Sequence, residues 1–259
     1  MTKHAVSVFA FVCLAASTSM AADSPFVGKW KLDTEKSKMT GLQETIEDLG
    51  DNKFKFAFGD DVETIMFDGK DYPTKFGSTW SVTPDGNDQW KSIHKKDGKV
   101  TSTATWTLLD GGKEFSSVTD GTRADGSTYH SAFKAKRVAG ESGLAGTWEI
   151  TEMKLGAPED WEIQPYEGDG LSFVTPAAKE EDSVKFDGKD YPAKGPRVAP
   201  GSTYSAKSTG TNTMELYEKL SGKLMTTHQL ELSTDGKTLT DKLTFPGVTK
   251  SEVDVYERQ

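Results

Sequence analysis

The chain repeats itself, and that constrains its fold more than any other feature. Phe67-Asp68-Gly69-Lys70-Asp71-Tyr72-Pro73 returns letter for letter at Phe186-Asp187-Gly188-Lys189-Asp190-Tyr191-Pro192, 119 positions on. A seven-residue identity of mixed composition points to duplication, so its extent comes first. Upstream, Gly28-Lys29-Trp30 answers to Gly146-Thr147-Trp148 at a shift of 118. Downstream, Gly77 to Ser81 answers to Gly201 to Ser205 at 124, which places a five-residue insertion of the second copy within Ala193 to Pro200. Carrying 124 forward pairs Trp80 with Tyr204, Trp90 with Met214, Ala104 with His228 and Trp106 with Leu230. A unit of close to 120 residues is a duplicated domain rather than a small solenoid repeat.

Residues 1–21 read as an export leader. Lys3 and His4 precede an apolar run from Ala5 to Ala16, and Ser19-Met20-Ala21 offers small residues for cleavage. The expected organisation is therefore leader 1–21, first unit 22–140 and second unit 141–259, in the periplasm or outside the cell. Cleavage would remove the single cysteine, Cys13, so no disulfide is expected. The formal net charge of −9 argues against nucleic acid or an anionic membrane as partner. No second apolar run is long enough to span a bilayer.

Nine Asp-Gly dipeptides punctuate the chain, at Asp68, Asp85, Asp97, Asp110, Asp120, Asp125, Asp169, Asp187 and Asp235. They suit hairpin turns, and the segments between them alternate as strands do. Phe54, Phe56 and Phe58 share one face. Val100, Ser102, Ala104, Trp106 and Leu108 alternate with threonines, and Leu224, Thr226, His228, Leu230 and Leu232 share a face in the second copy. The expectation is an all-β protein of two tandem antiparallel up-and-down β-barrels with 8–10 strands each. The short linker Ala139 to Gly143 leaves one alternative, a single fused sheet drawn from both copies.

Catalytic and cofactor motifs are missing: no nucleophile elbow, no phosphate loop, no His-Glu-x-x-His. Three scattered histidines outside the leader, His94, His130 and His228, do not make a metal site. No cofactor is expected. The acidic runs Asp60-Asp61 and Glu180-Glu181-Asp182 read as solvated loops. The repeated heptad reads as a turn followed by a Pro-limited edge strand; the alternative points the hydroxyls of Tyr72 and Tyr191 into a cavity. On the inner faces, Trp80, Trp90, His94 and Trp106 would fill or line the first barrel. Tyr204, Met214, His228 and Leu230 would do the same in the second, with Glu218 in the same phase.

The Gly-x-Trp motif on the first strand of a β-meander of this length resembles the lipocalin and fatty-acid-binding-protein superfamily. The stretches Trp30 to Lys38, Asp68 to Pro73, Lys95 to Val100, Asp235 to Thr240 and Val255 to Gln259 also resemble a group of exported bacterial proteins with lipocalin-like domains. The resemblance covers nearly all of the chain after the leader. It implies that Trp30 and Trp148 plug the barrel ends and that a basic residue from the last strand lies across each. Arg137 would stack on Trp30. Arg258 is the second-copy candidate, although it is out of phase with Val253 and Val255 and would need a bulge. The fold analogy further implies a protein that binds a small, largely apolar molecule. The rivals are an envelope or surface protein with solid barrels, and an isomerase or hydrolase built on His228.

Overall fold

The structure, a computed structural model, describes residues 24–140, 142–156 and 160–259. The expected leader lies outside them. Each copy supplies ten strands. Those of the first are β1 (Gly28–Leu32), β2 (Gln43–Asp48), β3 (Lys53–Phe58), β4 (Asp61–Met66), β5 (Tyr72–Pro73), β6 (Thr79–Pro84), β7 (Gln89–Lys96), β8 (Lys99–Leu109), β9 (Glu114–Thr122) and β10 (Thr128–Ala139). Those of the second are β11 (Gly146–Lys154), β12 (Trp161–Tyr166), β13 (Gly170–Thr175), β14 (Glu180–Val184), β15 (Tyr191–Pro192), β16 (Ser202–Gly210), β17 (Thr213–Leu220), β18 (Lys223–Leu232), β19 (Thr238–Thr244) and β20 (Glu252–Arg258). They form two ten-stranded antiparallel sheets, each nearly closed into a barrel, as the alternation and turns predict. In one sheet, backbone bonds of 2.8 and 3.0 Å between Glu181 and Lys194 join the β14 edge to the chain just after β15.

Neither barrel is built from one copy alone. The first barrel runs β4-β3-β2-β11-β10-β9-β8-β7-β6-β5, and the second runs β14-β13-β12-β1-β20-β19-β18-β17-β16-β15. The leading strands of the two copies have changed places, and the sheets stay separate rather than fused. The cause is the linker. Only Gly140 to Ala145 lie between β10 and β11, a hairpin-loop length, so β11 folds straight back along β10 with Arg137 opposite Trp148. That fills the slot between β10 and β2. Strand β1 takes the equivalent slot between β20 and β12, with Trp30 opposite both Arg258 and Trp161.

This exchange corrects the expected Trp30–Arg137 stack. Arg137 lies over Trp148 and Arg258 over Trp30, each with 4.1 Å from guanidinium carbon to ring centroid. The two caps match bond for bond. Arg137 donates to the carbonyls of Gly112, Gly143 and Ala145, and Trp148 Nε1 donates to Leu144 O at 2.9 Å. Arg258 donates to Gly236, Pro25 and Val27, and Trp30 Nε1 donates to Phe26 O at 2.9 Å. The glycine of Gly-x-Trp is required by this approach: a Cβ on Gly28 or Gly146 would stand 2.5 Å from an arginine Nη1. Arg258 needs no bulge, because the inward set on β20 is Asp254, Tyr256 and Arg258 rather than Val253 and Val255.

The repeated heptad is structural. Asp68 Oδ1 accepts from Lys70 N at 3.0 Å and Asp187 Oδ1 from Lys189 N at 3.1 Å, so the aspartate side chain closes the turn. Tyr72 and Tyr191 donate their hydroxyls to these same aspartates at 3.0 Å, not into a cavity. The Tyr-Pro strands are two-residue edges. Two Asp-Gly glycines sit in strands rather than in turns. Gly121 lies within β9 beneath the Tyr129 ring, and Gly170 opens β13 after a turn made by Glu167 and Gly168. Among the described residues no helix is long and apolar enough to cross a membrane.

Candidate functional site

The inner walls of the two barrels align as the 124-residue shift predicts. Trp80 faces His94, Ser92 faces Ala104 and Trp90 faces Trp106 across the first barrel's strands. The same places in the second hold Tyr204 with Glu218, Leu216 with His228 and Met214 with Leu230. What those residues do differs between the barrels.

In the first barrel the candidates pack on one another. Trp106 lies 6.0 Å from Trp80, 5.9 Å from Phe56, 6.2 Å from Phe67 and 6.1 Å from Phe115, ring to ring. Phe115 continues the chain of rings to Trp148 at 5.5 Å. Trp80 Nε1 donates to the buried Ser92 Oγ at 2.8 Å, and His94 stacks on Trp80 at 5.5 Å. Burial lowers the His94 pKa, which favours the neutral ring. Trp90 is half-buried against the same cluster. Two inward carboxylates went unnoticed in the sequence, Glu44 opposite Trp148 and Glu63 opposite Phe56. Burial raises both, Glu44 to about 7.

The second barrel holds a partly open cavity of about 160 Å³. Its wall interleaves the apolar Trp161, Phe173, Val184 and Leu216 with Glu180, Asp182, Tyr204 and His228, Phe173 standing beside Asp182 and Leu216 beside His228. Of the sequence candidates, Tyr204 and His228 are on this wall. Met214 and Leu230 are buried in the surrounding core, 2% and 1% exposed. The acidic run Glu180-Glu181-Asp182 is not a solvated loop. It is strand β14, with Asp182 opposite Phe173, and its alternation turns Glu180, Asp182 and Val184 inward.

Electrostatics follow from that placement. Burial first, then Glu180 and Glu218, push the Asp182 carboxyl up to about 7, against the opposing pull of His228. Burial raises the Tyr204 hydroxyl, helped by the charges of Glu218, Asp182 and Glu180. His228 does not pair with Glu218. Its Nδ1 lies 2.7 Å from Asp241 Oδ2, on β19, and Asp241 is 1% exposed. Burial alone would depress the imidazole, but Asp241, Glu218 and Asp254 together outweigh it and leave its pKa raised. His228 Nε2 is shielded from solvent and has no protein partner. Directly across from Asp241 stands Asp254, pushed to about 7 by burial, then by Glu252 and Asp241.

Glu180 also lines a larger space of about 460 Å³ at the mouth of the second barrel. Its rim combines Glu252, Asp254 and Tyr256 with Arg123 and Tyr129 from the β9–β10 hairpin of the first barrel, and with Arg197 from the five-residue insertion. Arg197 Nη1 donates to Thr122 O, which ties the insertion to that hairpin. Trp161 and Tyr256 stack at 4.6 Å, the former on the inner cavity and the latter on the vestibule. Among the described residues, no cluster of three or more His, Cys, Asp or Glu is placed to hold a metal ion. Comparison of the chain with family models, curated proteins and solved structures finds no match.

Proposed function

We propose that this protein binds a small molecule inside its second barrel, and that the first barrel is a solid companion. The observation that carries the reading is the contrast at equivalent positions. Trp106 and Trp80 fill the first interior, whereas Leu230 and Tyr204 leave the second with a partly open space walled by both rings and ionisable groups. Pockets that bind small molecules combine a mainly apolar wall with a few placed polar groups. At about 160 Å³ the space matches a cavity that admits a benzene-sized molecule, well under a drug-sized site. The barrel fold is compatible with a lipocalin-like binding protein, and the leader-like start of the chain supports export.

The test is a two-dimensional NMR titration of the full chain with benzyl alcohol. Saturable shifts are expected in β14, β16 and β18, and Leu216→Trp, which fills the cavity, should abolish them. Shifts confined to the first barrel, or none at all, would overturn the proposal. A second reading, proton-transfer catalysis, is favoured by one observation, the buried His228–Asp241 pair at 2.7 Å with Nε2 unengaged.

A further inference from the structure

We infer that the second barrel's cavity takes a small organic cation, an amine or amidine carried on a ring or short apolar body. This rests on the small-molecule reading above and names its ligand class. The first argument is hydrogen-bonding polarity. Asp241 accepts from His228 Nδ1, so once the ring gives up its second proton the shielded Nε2 becomes an acceptor. Asp182 offers carboxylate oxygens. A wall of acceptors calls for a ligand rich in donors, and an ammonium or amidinium has three or more.

The second argument is charge. Asp182 is faced by Glu180 and Glu181 on its own strand, by Glu218 on β17, by Tyr204 on β16 and by His228 on β18, with Phe173 across from it on β13. The cationic groups nearby are His228 in its protonated form, held by Asp241, Lys194, which pairs with Glu181, and Arg197, which shares an adjoining hollow with Asp182 and donates to Thr122 O. An anionic ligand in the cavity would meet the Glu180 and Asp182 carboxyl groups. A purely apolar one would strand His228 Nε2 and Asp182 without partners, which is costly in a buried site. A cation relieves both problems. The third argument is the aromatic lining beside Asp182: Trp161 and Phe173, at 5.8 Å and nearly perpendicular, offer an aromatic face and edge to the ligand body.

Binding a cation here displaces protons from Asp182 and His228, so affinity should rise with pH. The experiment is isothermal titration of the full chain with three ligands of one shape: benzylamine, benzyl alcohol and benzoate. Benzylamine should bind one to one and at least ten-fold more tightly than benzyl alcohol, with benzoate not binding. Its affinity should fall several-fold from pH 8 to pH 5.5. Asp182→Asn should cost benzylamine ten-fold or more and cost benzyl alcohol much less. If benzyl alcohol binds as well as benzylamine, the cation inference fails and the cavity reading stands. If neither binds, both fail.

Discussion

Two barrels of one ancestry have met the same problem, filling a closed sheet, in opposite ways. At matched positions the first has Trp106, Ser117 and Phe133 where the second has Leu230, Asp241 and Asp254. Trp106 touches four other rings, and small residues beside it make room. Its replacement by leucine in the second barrel removes that volume, and ionisable groups occupy the opened interior. Those groups are costly to bury and contribute little to packing. The comparison teaches that the first barrel is packed with rings where the second buries ionisable groups, a loss of packing that the proposed site would explain.

The largest effect should come from the exchanged strands. Trp30 is fully buried, and Trp30→Ala should cost about 3–5 kcal/mol. The location matters more than the size. Because Trp30 completes the second barrel, faster hydrogen exchange is expected in β12 to β20, while Trp148→Ala should loosen β2 to β10 instead. Loosening within each tryptophan's own copy would break the strand exchange.

Next in size is the filled interior. Trp106→Leu imports the second barrel's residue into the first, and should lower stability by about 2–4 kcal/mol as surrounding rings lose their partner. It should also let the first barrel take up benzyl alcohol, seen as new NMR shifts in β6 and β8. A loss below about 1 kcal/mol would mean that the first barrel is not packed solid around this ring.

The third concerns Asp254, and its sign can be worked out. Its folded-state pKa is raised to about 7, so the folded protein favours the protonated form. The stabilisation is complete below the ordinary carboxylate pKa near 4, shrinks as pH rises, and is gone above about 7. Asp254→Asn stays neutral throughout. Denaturant unfolding should find the two proteins alike near pH 4 and the variant more stable by about 1–3 kcal/mol at pH 8. No divergence would mean that Asp254, facing Asp241, Glu252 and His228, is better compensated than its surroundings show.

Much of this was legible in the sequence, and the failures have physical causes. The duplication, the turns and the pairing of Trp80 with Tyr204 follow from spacing, and the Gly-x-Trp plugs from the family resemblance. The strand exchange does not: β1 and β11 carry the same pattern and fit either slot, so the short loop from Gly140 to Ala145 decides. Hydrophobic alternation gives the wrong phase for β20, because Glu252, Asp254 and Arg258 point inward while Val253 and Val255 do not, the reverse of the usual pattern. Asp182 was misplaced for the same reason, since three acids in a row look like a loop. Asp241 could have been found, because Leu239, Asp241 and Leu243 alternate in phase across β19.

The smallest predicted effect tests where the copies agree. Tyr72 and Tyr191 each bond the aspartate four residues back at 3.0 Å, and each heptad is tied down by a lysine, Lys95 to Asp71 and Lys219 to Asp190. These contacts are at the surface and near-identical in both barrels. Tyr72→Phe and Tyr191→Phe should therefore lower Tm slightly and by the same amount, and neither should alter benzylamine binding. A loss of affinity in Tyr191→Phe alone would break the symmetry, because it would give the second heptad a role in the site that its bond to Asp187 does not provide. Equal effects would place the functional divergence of the two copies wholly in their inner walls, while selection on the turn has remained selection for folding.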